Sequence, residues 1–87
     1  MQIFYSPEFA KRYRRLPRAI QKKAEEKEQF FRINPFDARL KTHRLHGRLR
    51  EFWAFWVDYQ IRVAFKFLDN GDVRFYAIGD HSIYQKL

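Results

Sequence analysis

The chain has 87 residues, which is enough for one small domain with a single hydrophobic core. Residues 1–87 are therefore taken as one domain, and dinucleotide-binding folds and eight-stranded α/β barrels are excluded because they need far longer chains. Apolar residues make up 46% of the sequence and aromatic residues 20%, which predicts a folded rather than a disordered chain. The sequence lacks cysteine and has no apolar run that resembles a signal peptide or a membrane span, so we expect a cytoplasmic protein with no membrane partner.

The net charge is +8, because 18 lysines and arginines oppose 10 acidic residues. An imbalance of this size destabilises a folded chain by self-repulsion and is usually offset by an anionic partner. Nucleic acid, an acidic protein and an anionic membrane surface all fit that description. The basic residues form two separate segments without acids, at residues 11–23 and 39–50, and the second segment also contains two histidines.

The N-terminal part of the chain predicts a strand followed by two helices. The apolar run Met1–Tyr5 predicts the strand, and Ser6-Pro7 is typical of a helix N-cap followed by proline in the first turn. Apolar residues then recur at helical spacing, and Pro17 separates a first helix from a second one, expected at about residues 17–31. The two helices should form a helical hairpin, which an Asn-Pro pair terminates.

The second half of the sequence predicts a three-stranded antiparallel meander. Aromatic and β-branched residues dominate residues 49–79, and turn signals occur at Asp58 and at residues 69–72. The last strand, Val73–Ile78, is apolar on both sides, so its facing is ambiguous. The expected fold is α+β, with the element order β-α-α-β-β-β and the helices packed on one face of the sheet.

Arg62 is the first candidate for a functional residue, because it is a single arginine in the centre of an otherwise apolar strand. Alternation places Val63 and Phe65 on the side that the helices should cover and Arg62 on the opposite side. A guanidinium on a rigid strand can bind a phosphate through two hydrogen bonds and stabilise charge that develops there. The alternative is a structural arginine paired with an acid on a neighbouring strand. Trp56 should lie on the same side as Arg62, where it could stack on a base.

The C-terminal residues His81 and Tyr84 are the second candidates. They follow Gly79, which closes the last predicted strand, and function tends to concentrate in such connecting segments. His81 can exchange a proton near neutral pH. The alternatives are a surface histidine without a role and a tyrosine that seals the edge of the sheet.

His43 and His46 stand three residues apart, a spacing that also occurs in metal sites. We expect no metal, because a third and a fourth ligand are not evident, and we expect no cofactor. The two histidines are interpreted as part of a basic surface, where one of them could serve as an auxiliary acid or base.

The sequence contains no Ser-His-Asp order, no nucleophilic cysteine and, with three glycines, no glycine-rich phosphate loop. An arginine, histidines, a tyrosine and flanking cations remain. This inventory suits the cleavage of RNA by its own 2′-hydroxyl, since the substrate then supplies the nucleophile and the protein moves protons and stabilises a phosphorane. DNA lacks that hydroxyl and would be a poor substrate.

Several segments of the chain together resemble the RelE/ParE superfamily of toxins from toxin–antitoxin pairs. They include Leu45-His46-Gly47-Arg48-Leu49, Tyr59-Gln60-Ile61-Arg62-Val63 and Ile78-Gly79-Asp80-His81-Ser82-Ile83-Tyr84. The resemblance covers essentially the whole chain and implies a RelE-like mRNA interferase, a metal-independent endoribonuclease that cuts mRNA in the ribosomal A site and inhibits translation. It also implies an acidic antitoxin as partner, besides mRNA and ribosomal RNA.

The resemblance implies roles for particular residues as well. Arg62 would bind the scissile phosphate, His81 would act as general acid or base, and Tyr84 would orient the substrate or stack on it. The RNA-binding residues would be Trp56 and four cations of the second basic segment, namely Lys41, Arg44, Arg48 and Arg50.

The sequence departs from the family pattern in one place. Several family nucleases present lysines or a histidine near the positions of Ala54 and Trp56, which leaves His43 or His46 as substitutes for the second proton-transfer group. Two other functions therefore stay open. One is a non-catalytic, ParE-like inhibitor of DNA gyrase, and the other is a basic nucleic-acid-binding module without toxicity.

Overall fold

Five strands and two helices make up most of the chain, all 87 residues of which are described in a computed structural model. Along the chain they are β1 (Ile3–Tyr5), α1 (Pro7–Arg15), α2 (Arg18–Ile33), β2 (His43–Arg44), β3 (Trp53–Trp56), β4 (Arg62–Phe67) and β5 (Val73–Gly79). Three short 3-10 helices occur at Ala38–Leu40, Gly47–Leu49 and His81–Lys86. Neither α-helix combines the length and the apolar character that a membrane span requires.

The strands lie side by side in the order β1-β5-β4-β3-β2 and form a mixed sheet. β3, β4 and β5 form the expected antiparallel meander, whereas β1 lies parallel to β5. The α+β class and the element order are confirmed, with two additions. The two-residue strand β2 lies in the second basic segment, which has no alternation of apolar and polar residues to indicate a strand. The second addition is the parallel pairing of β1 with β5, which joins the first and the last strand of the chain.

The helical hairpin begins as predicted and ends slightly later. The side chain of Ser6 accepts a hydrogen bond of 3.0 Å from the amide of Phe9 and so caps α1. α2 continues to Ile33, beyond the expected end at Phe31, and stops where Asn34 becomes extended. The boundary differs because the residue before the proline, and not the last inward-facing apolar residue, ends the helix.

Phe31 of α2 lies at the centre of the core between the helices and the sheet. It is fully buried, and its ring centroid lies 5.1, 5.0 and 5.4 Å from those of Phe55, Phe65 and Phe75. Aromatic pairs of this geometry contribute about 0.5–1.5 kcal/mol each beyond the burial of their surface. Because the three partners belong to β3, β4 and β5, the prediction that the helices cover this side of the meander is confirmed. We call it the helix-covered face.

A β-bulge at Tyr76 resolves the facing of β5. Ala64 pairs with Ala77, but the next residue pair uses Phe75, so Tyr76 has no partner on β4. The hydroxyl of Ser6 donates a 2.9 Å hydrogen bond to the carbonyl of Tyr76 at this irregularity. As a result, Phe75 packs on the helix-covered face, whereas Tyr76 and Ala77 both lie on the opposite face.

The opposite side of the sheet, which we call the open face, carries no α-helix. Its residues are His43, Ala54, Trp56, Arg62, Ala64, Lys66, Arg74, Tyr76 and Ala77. The C-terminal 3-10 helix folds back over one part of this face, where Ile83 packs against Ala64 and Ala77.

Candidate active site

Arg62 lies at the start of β4 on the open face, as alternation predicts, but it is only 6% exposed. Its neighbours across the sheet are Trp56 on β3 and Gly79 on β5. The indole of Trp56 covers one side of the guanidinium, whose central carbon lies 3.9 Å from the ring centroid. A cation–π contact of this kind holds the guanidinium in place without neutralising its charge.

No carboxylate pairs with Arg62. Its Nη1 group donates a 2.6 Å hydrogen bond to the main-chain carbonyl of Asp58, and the three ion pairs of the molecule involve other residues. The Nε and Nη2 groups make no hydrogen bond within the chain. Every fully buried side-chain nitrogen of the molecule has a hydrogen-bond partner, so these two groups are not fully buried and still reach solvent. The alternative of an arginine paired with an acid on a neighbouring strand therefore does not describe Arg62. A nearly buried charge without a counter-ion is unfavourable until an anion joins it.

The C-terminal 3-10 helix, which carries His81 and Tyr84, is fixed at both ends. At its start, Asp80 accepts a 2.9 Å hydrogen bond from the amide of Ser82, and hydrogen bonding by Ser82 lowers the pKa of Asp80. At its end, the guanidinium of Arg48 donates to the carbonyls of Tyr84 and Leu87 at 3.1 and 3.4 Å. Arg48, a predicted RNA-binding residue, thus holds this turn against the second basic segment.

Gly79 allows the C-terminal turn to pack closely on the sheet. Its φ is +157°, and an added Cβ would lie 2.8 Å from Cγ2 of Ile83. A side chain at this position would therefore displace Ile83, and with it the turn that carries His81 and Tyr84.

His81 and Tyr84 lie beside each other at the end of the sheet where Arg62 begins. Their ring centroids are 6.1 Å apart and the rings meet edge to face. Burial raises the pKa of Tyr84, and this effect outweighs the lowering by the positive charge of Arg62 nearby. The phenol therefore stays protonated at neutral pH. The imidazole of His81 is exposed and therefore accessible. The guanidinium of Arg62, this imidazole and the protonated phenol of Tyr84 thus lie at the same end of the sheet.

Lys41 and His43 extend this arrangement toward the edge of the sheet. The Nζ atom of Lys41 lies 5.4 Å from the ring centroid of Trp56. His43 pairs with Ala54 and shares the open face with it, and its Nδ1 atom lies 3.0 Å from the carbonyl of Lys41. Because a carbonyl only accepts hydrogen bonds, this contact assigns the proton to Nδ1 and leaves a free lone pair on Nε2 of the neutral ring.

The remaining predicted residues lie elsewhere. Arg44 pairs with Trp53 on the helix-covered side, and its Nε group donates a 2.6 Å hydrogen bond to the carbonyl of Arg50. His46 and Arg50 flank the 3-10 helix Gly47–Leu49, and both are exposed. Neither makes a side-chain hydrogen bond to the residues around Arg62. No three His, Cys, Asp or Glu side chains form a group that could hold a metal ion.

Two surface cavities differ in the residues that line them. A cleft of about 250 Å³ opens beside His81 and is lined by Tyr59, Gln60, Ile61 and Asp80. A larger one, of about 450 Å³, lies between α1 and α2 and contains none of the predicted site residues. The larger cavity therefore lies away from the predicted charged groups, whereas the smaller cleft is lined by one of them, His81.

No protein-family model and no curated protein sequence matches this chain. Solved structures do match it. The YoeB/ParE toxin from Agrobacterium tumefaciens superposes with a TM-score of 0.79 at 14% identity, covering 93% of this chain and 99% of that one. This chain has the RelE/ParE toxin fold. YafQ from E. coli gives a TM-score of 0.73 at 22% identity over 95% and 96% of the two chains. The YoeB–YefM toxin–antitoxin complex from Staphylococcus aureus gives 0.74 at 18% identity over 93% and 97%.

Two features of the site were missed in the sequence analysis. Asp58 was recognised only as a turn residue, but its carbonyl holds Arg62, while its carboxylate fixes the turn by accepting amide hydrogen bonds from Gln60 and Ile61 at 2.8 and 2.7 Å. The close contact at Gly79 was also missed. The sequence does place Asp58 four residues before Arg62, which is a possible signal for the first feature. The shape of the folded turn, however, decides which carbonyl the guanidinium contacts.

Proposed function

We propose that this protein is the toxin of a toxin–antitoxin pair, and that it cleaves mRNA on the ribosome through attack by the RNA 2′-hydroxyl. The observation that carries the proposal is the nearly buried guanidinium of Arg62, which has no carboxylate partner. Holding such a charge away from water is unfavourable for folding, and functional sites are where proteins keep unfavourable groups of this kind. A phosphodiester would supply the missing anion.

In the proposed reaction, the 2′-oxygen attacks the adjacent phosphorus and the bond from phosphorus to the 5′-oxygen breaks. The products are a 2′,3′-cyclic phosphate and a new 5′-hydroxyl end. One group takes the proton from the 2′-hydroxyl, and another gives a proton to the leaving 5′-oxygen. The free Nε and Nη2 groups of Arg62 would donate to the non-bridging phosphate oxygens, where negative charge grows in the transition state.

His81 and His43 are the groups best suited to move these protons. His81 is accessible beside Tyr84, and His43 has a free lone pair on Nε2. His43 lies directly across from Ala54, close to where several family nucleases carry a lysine or a histidine, so we assign the second proton transfer to His43 rather than His46. Tyr84, which stays protonated, would orient the substrate as a hydrogen-bond donor.

The charge of the surface favours anionic partners for this site. mRNA and ribosomal RNA would supply phosphates to the open face, with Lys41 and Trp56 at its margin. An acidic antitoxin would cover the same face and compensate its charge until the toxin is released. The structurally similar YoeB from Staphylococcus aureus forms a toxin–antitoxin complex with YefM.

Induction of this chain in a bacterial host, followed by mapping of mRNA ends on translating ribosomes, tests the proposal. We expect growth arrest and new 5′-hydroxyl ends within translated regions. Cells that express Arg62→Met or His81→Ala should grow normally, provided that circular dichroism shows both variants folded like the parent. If both folded variants remain as toxic as the parent, the assignment is wrong.

Two further measurements on the purified protein distinguish the two other functions, the gyrase inhibitor and the nucleic-acid-binding module: a supercoiling assay and an RNA-binding assay. Inhibited supercoiling with intact mRNA would identify a gyrase inhibitor. RNA binding without growth arrest would identify a nucleic-acid-binding module, with no catalytic role for Arg62.

A further inference from the structure

A second group of cations lies on the open face, away from Arg62. Lys66 on β4 and Arg74 on β5 occupy directly opposite positions in the sheet, and both are half-buried. Like charges that face each other across two strands destabilise the sheet. The Lys66–Arg74 pair is therefore unfavourable for folding, and its presence calls for a functional explanation.

No acid compensates the pair. The three ion pairs of the molecule, Arg12–Glu8, Arg32–Glu28 and Arg39–Asp37, all lie outside the meander. Lys66 and Arg74 contact aromatic rings instead. The Nζ atom of Lys66 lies 4.5 Å from the ring centroid of Phe52 and 5.5 Å from that of Tyr76, and the guanidinium carbon of Arg74 lies 5.5 Å from the ring of Tyr76. The rings hold both cations in place and leave their charge available.

The aromatic support is built into the irregular part of the sheet. The bulge in β5 turns Tyr76 onto the open face, and the hydroxyl of Ser6 fixes the bulged carbonyl. Tyr76 then meets Phe52 edge to face, with 5.3 Å between the ring centroids. Bulges commonly redirect a side chain near a functional site, and here the redirected ring lies under the two cations.

We propose that Lys66 and Arg74 form a second anion site, which binds a phosphate of the RNA strand beyond the scissile phosphate. Lys66 lies four residues beyond Arg62 on the same face of β4, which corresponds to about 14 Å at the rise of an antiparallel strand. Ala64, which lies between them on β4, is covered by Ile83 of the C-terminal 3-10 helix. An RNA strand whose scissile phosphate lies at Arg62 would therefore pass over this helix and place a later or earlier phosphate between Lys66 and Arg74. The inference rests on the proposed function in that it names RNA as the anion.

RNA fits the observations better than an acidic peptide does. Cations interleaved with aromatic rings are typical of grooves that bind single-stranded nucleic acid. The open face presents two such combinations, Arg62 with Trp56 and the pair Lys66–Arg74 with Tyr76, at separate points along one strand. A phosphate backbone carries its charges at regular intervals along a line and matches that layout.

The test is the salt dependence of binding to a short single-stranded 2′-O-methyl RNA, which lacks the attacking hydroxyl and is not cleaved. Fluorescence anisotropy is recorded for the parent, for Lys66→Gln/Arg74→Gln and for a control that removes two charges from the helical layer, Lys22→Gln/Lys23→Gln. Loss of the one phosphate that Lys66 and Arg74 share should lower the slope of log affinity against log salt by about 0.7. Between about 50 and 200 mM salt, the parent should then lose about 2.6-fold more affinity than the Lys66/Arg74 variant.

The control variant should keep the slope of the parent, because its lysines make no direct phosphate contact. Thermal denaturation should show the Lys66/Arg74 variant at least as stable as the parent, since the like-charge repulsion is removed. If this double variant does not fold, the single variant Lys66→Gln should lower the slope in the same direction, by at most about 0.7. An equal slope in the parent and the Lys66/Arg74 variant would overturn the proposal.

A second arm uses a poly-glutamate peptide as the anion. If the Lys66/Arg74 variant loses affinity for this peptide but binds the RNA as the parent does, the site serves an acidic protein partner and the proposal is wrong. The two proposals can fail separately. If Arg62→Met abolishes toxicity but the Lys66/Arg74 variant binds RNA as the parent does, the nuclease assignment stands and the second site is rejected. A lowered slope without any mRNA cleavage would retain the second site and reject the nuclease.

Discussion

The two faces of the sheet in this protein have different physical characters. The helix-covered face is a continuous apolar cluster that includes Phe31, Phe65 and Phe75, and its buried members carry no charge. The open face carries Arg62, Lys66 and Arg74, and none of its positions is an acid. Stability is therefore concentrated on one face and uncompensated charge on the other. Substitutions on the helix-covered face should change folding, and substitutions on the open face should change activity or binding.

The largest effect is expected at the centre of the helix-covered face. Phe31→Ala removes a ring that contacts three strands and should lower the free energy of unfolding by about 3–5 kcal/mol. This is a large part of the roughly 5–15 kcal/mol that holds a small domain folded. Urea denaturation of the purified variant measures the loss. A decrease below about 1 kcal/mol would show that the core does not depend on this ring.

Arg62→Met should separate activity from stability. Loss of the guanidinium should cost about 2.7–4 kcal/mol of transition-state stabilisation, or roughly a hundred- to a thousandfold in the rate of mRNA cleavage on ribosomes. The free energy of unfolding should stay the same or rise, because a nearly buried, unpaired charge is replaced by an apolar side chain. Arg62→Lys should not restore the rate, since an ammonium lacks the planar fork. A tenfold loss or less would make Arg62 a binding residue only.

Gly79→Ala should disturb the site without touching its charged groups. The new Cβ would meet Ile83 at 2.8 Å and shift the C-terminal turn, and a misplacement of about 1 Å can cost about a hundredfold in rate. Gly71→Ala is the matched control, because φ at Gly71 is also positive, at +89°, but no atom lies within 4 Å of the added Cβ. The control should lose about 1–2 kcal/mol of stability and keep its cleavage rate. Equal rates in the two variants would contradict a positioning role for the turn.

Ser6→Ala links the two faces and should have a smaller effect. Ser6 caps α1 on the helix side and holds the bulged carbonyl of Tyr76 in β5. Loss of the cap should lower the free energy of unfolding by about 0.5–2 kcal/mol. The ring signals of Tyr76 should also shift in NMR spectra of the folded variant. Unchanged stability and unchanged Tyr76 signals would show that neither contact of Ser6 contributes.

The smallest effect concerns alkaline pH. Burial and a hydrogen bond to Glu28 raise the pKa of Tyr5 to about 12, whereas the unfolded phenol titrates near 10. The folded state holds this proton more tightly, so the contribution of Tyr5 to stability is complete below pH 10 and is lost as the pH rises toward 12. Because Tyr5 is 43% exposed, solvent screening keeps the contribution small. Denaturation midpoints recorded across this pH range should fall less steeply for Tyr5→Phe than for the parent, and parallel curves would contradict the assignment.

Short-range sequence signals were sufficient for much of the fold. The cap at Ser6, the helix end at Asn34, and the turns at Asp58 and residues 69–72 each depend on residues within a few positions of one another. Alternation along β4 likewise placed Arg62 opposite the helices. These features were predictable because backbone geometry and side-chain period are local properties of the chain.

Long-range contacts set what local sequence left open. The bulge that turns Tyr76 onto the open face is fixed by a hydrogen bond from Ser6, 70 residues away in the chain, and the turn that carries His81 is held by Arg48, 36 residues before the Tyr84 carbonyl that it binds. The absence of a carboxylate beside Arg62 is likewise set by long-range contacts. Which side chains meet at a site depends on strand pairing and on loop closure between distant residues, and neither is encoded within a short window of sequence.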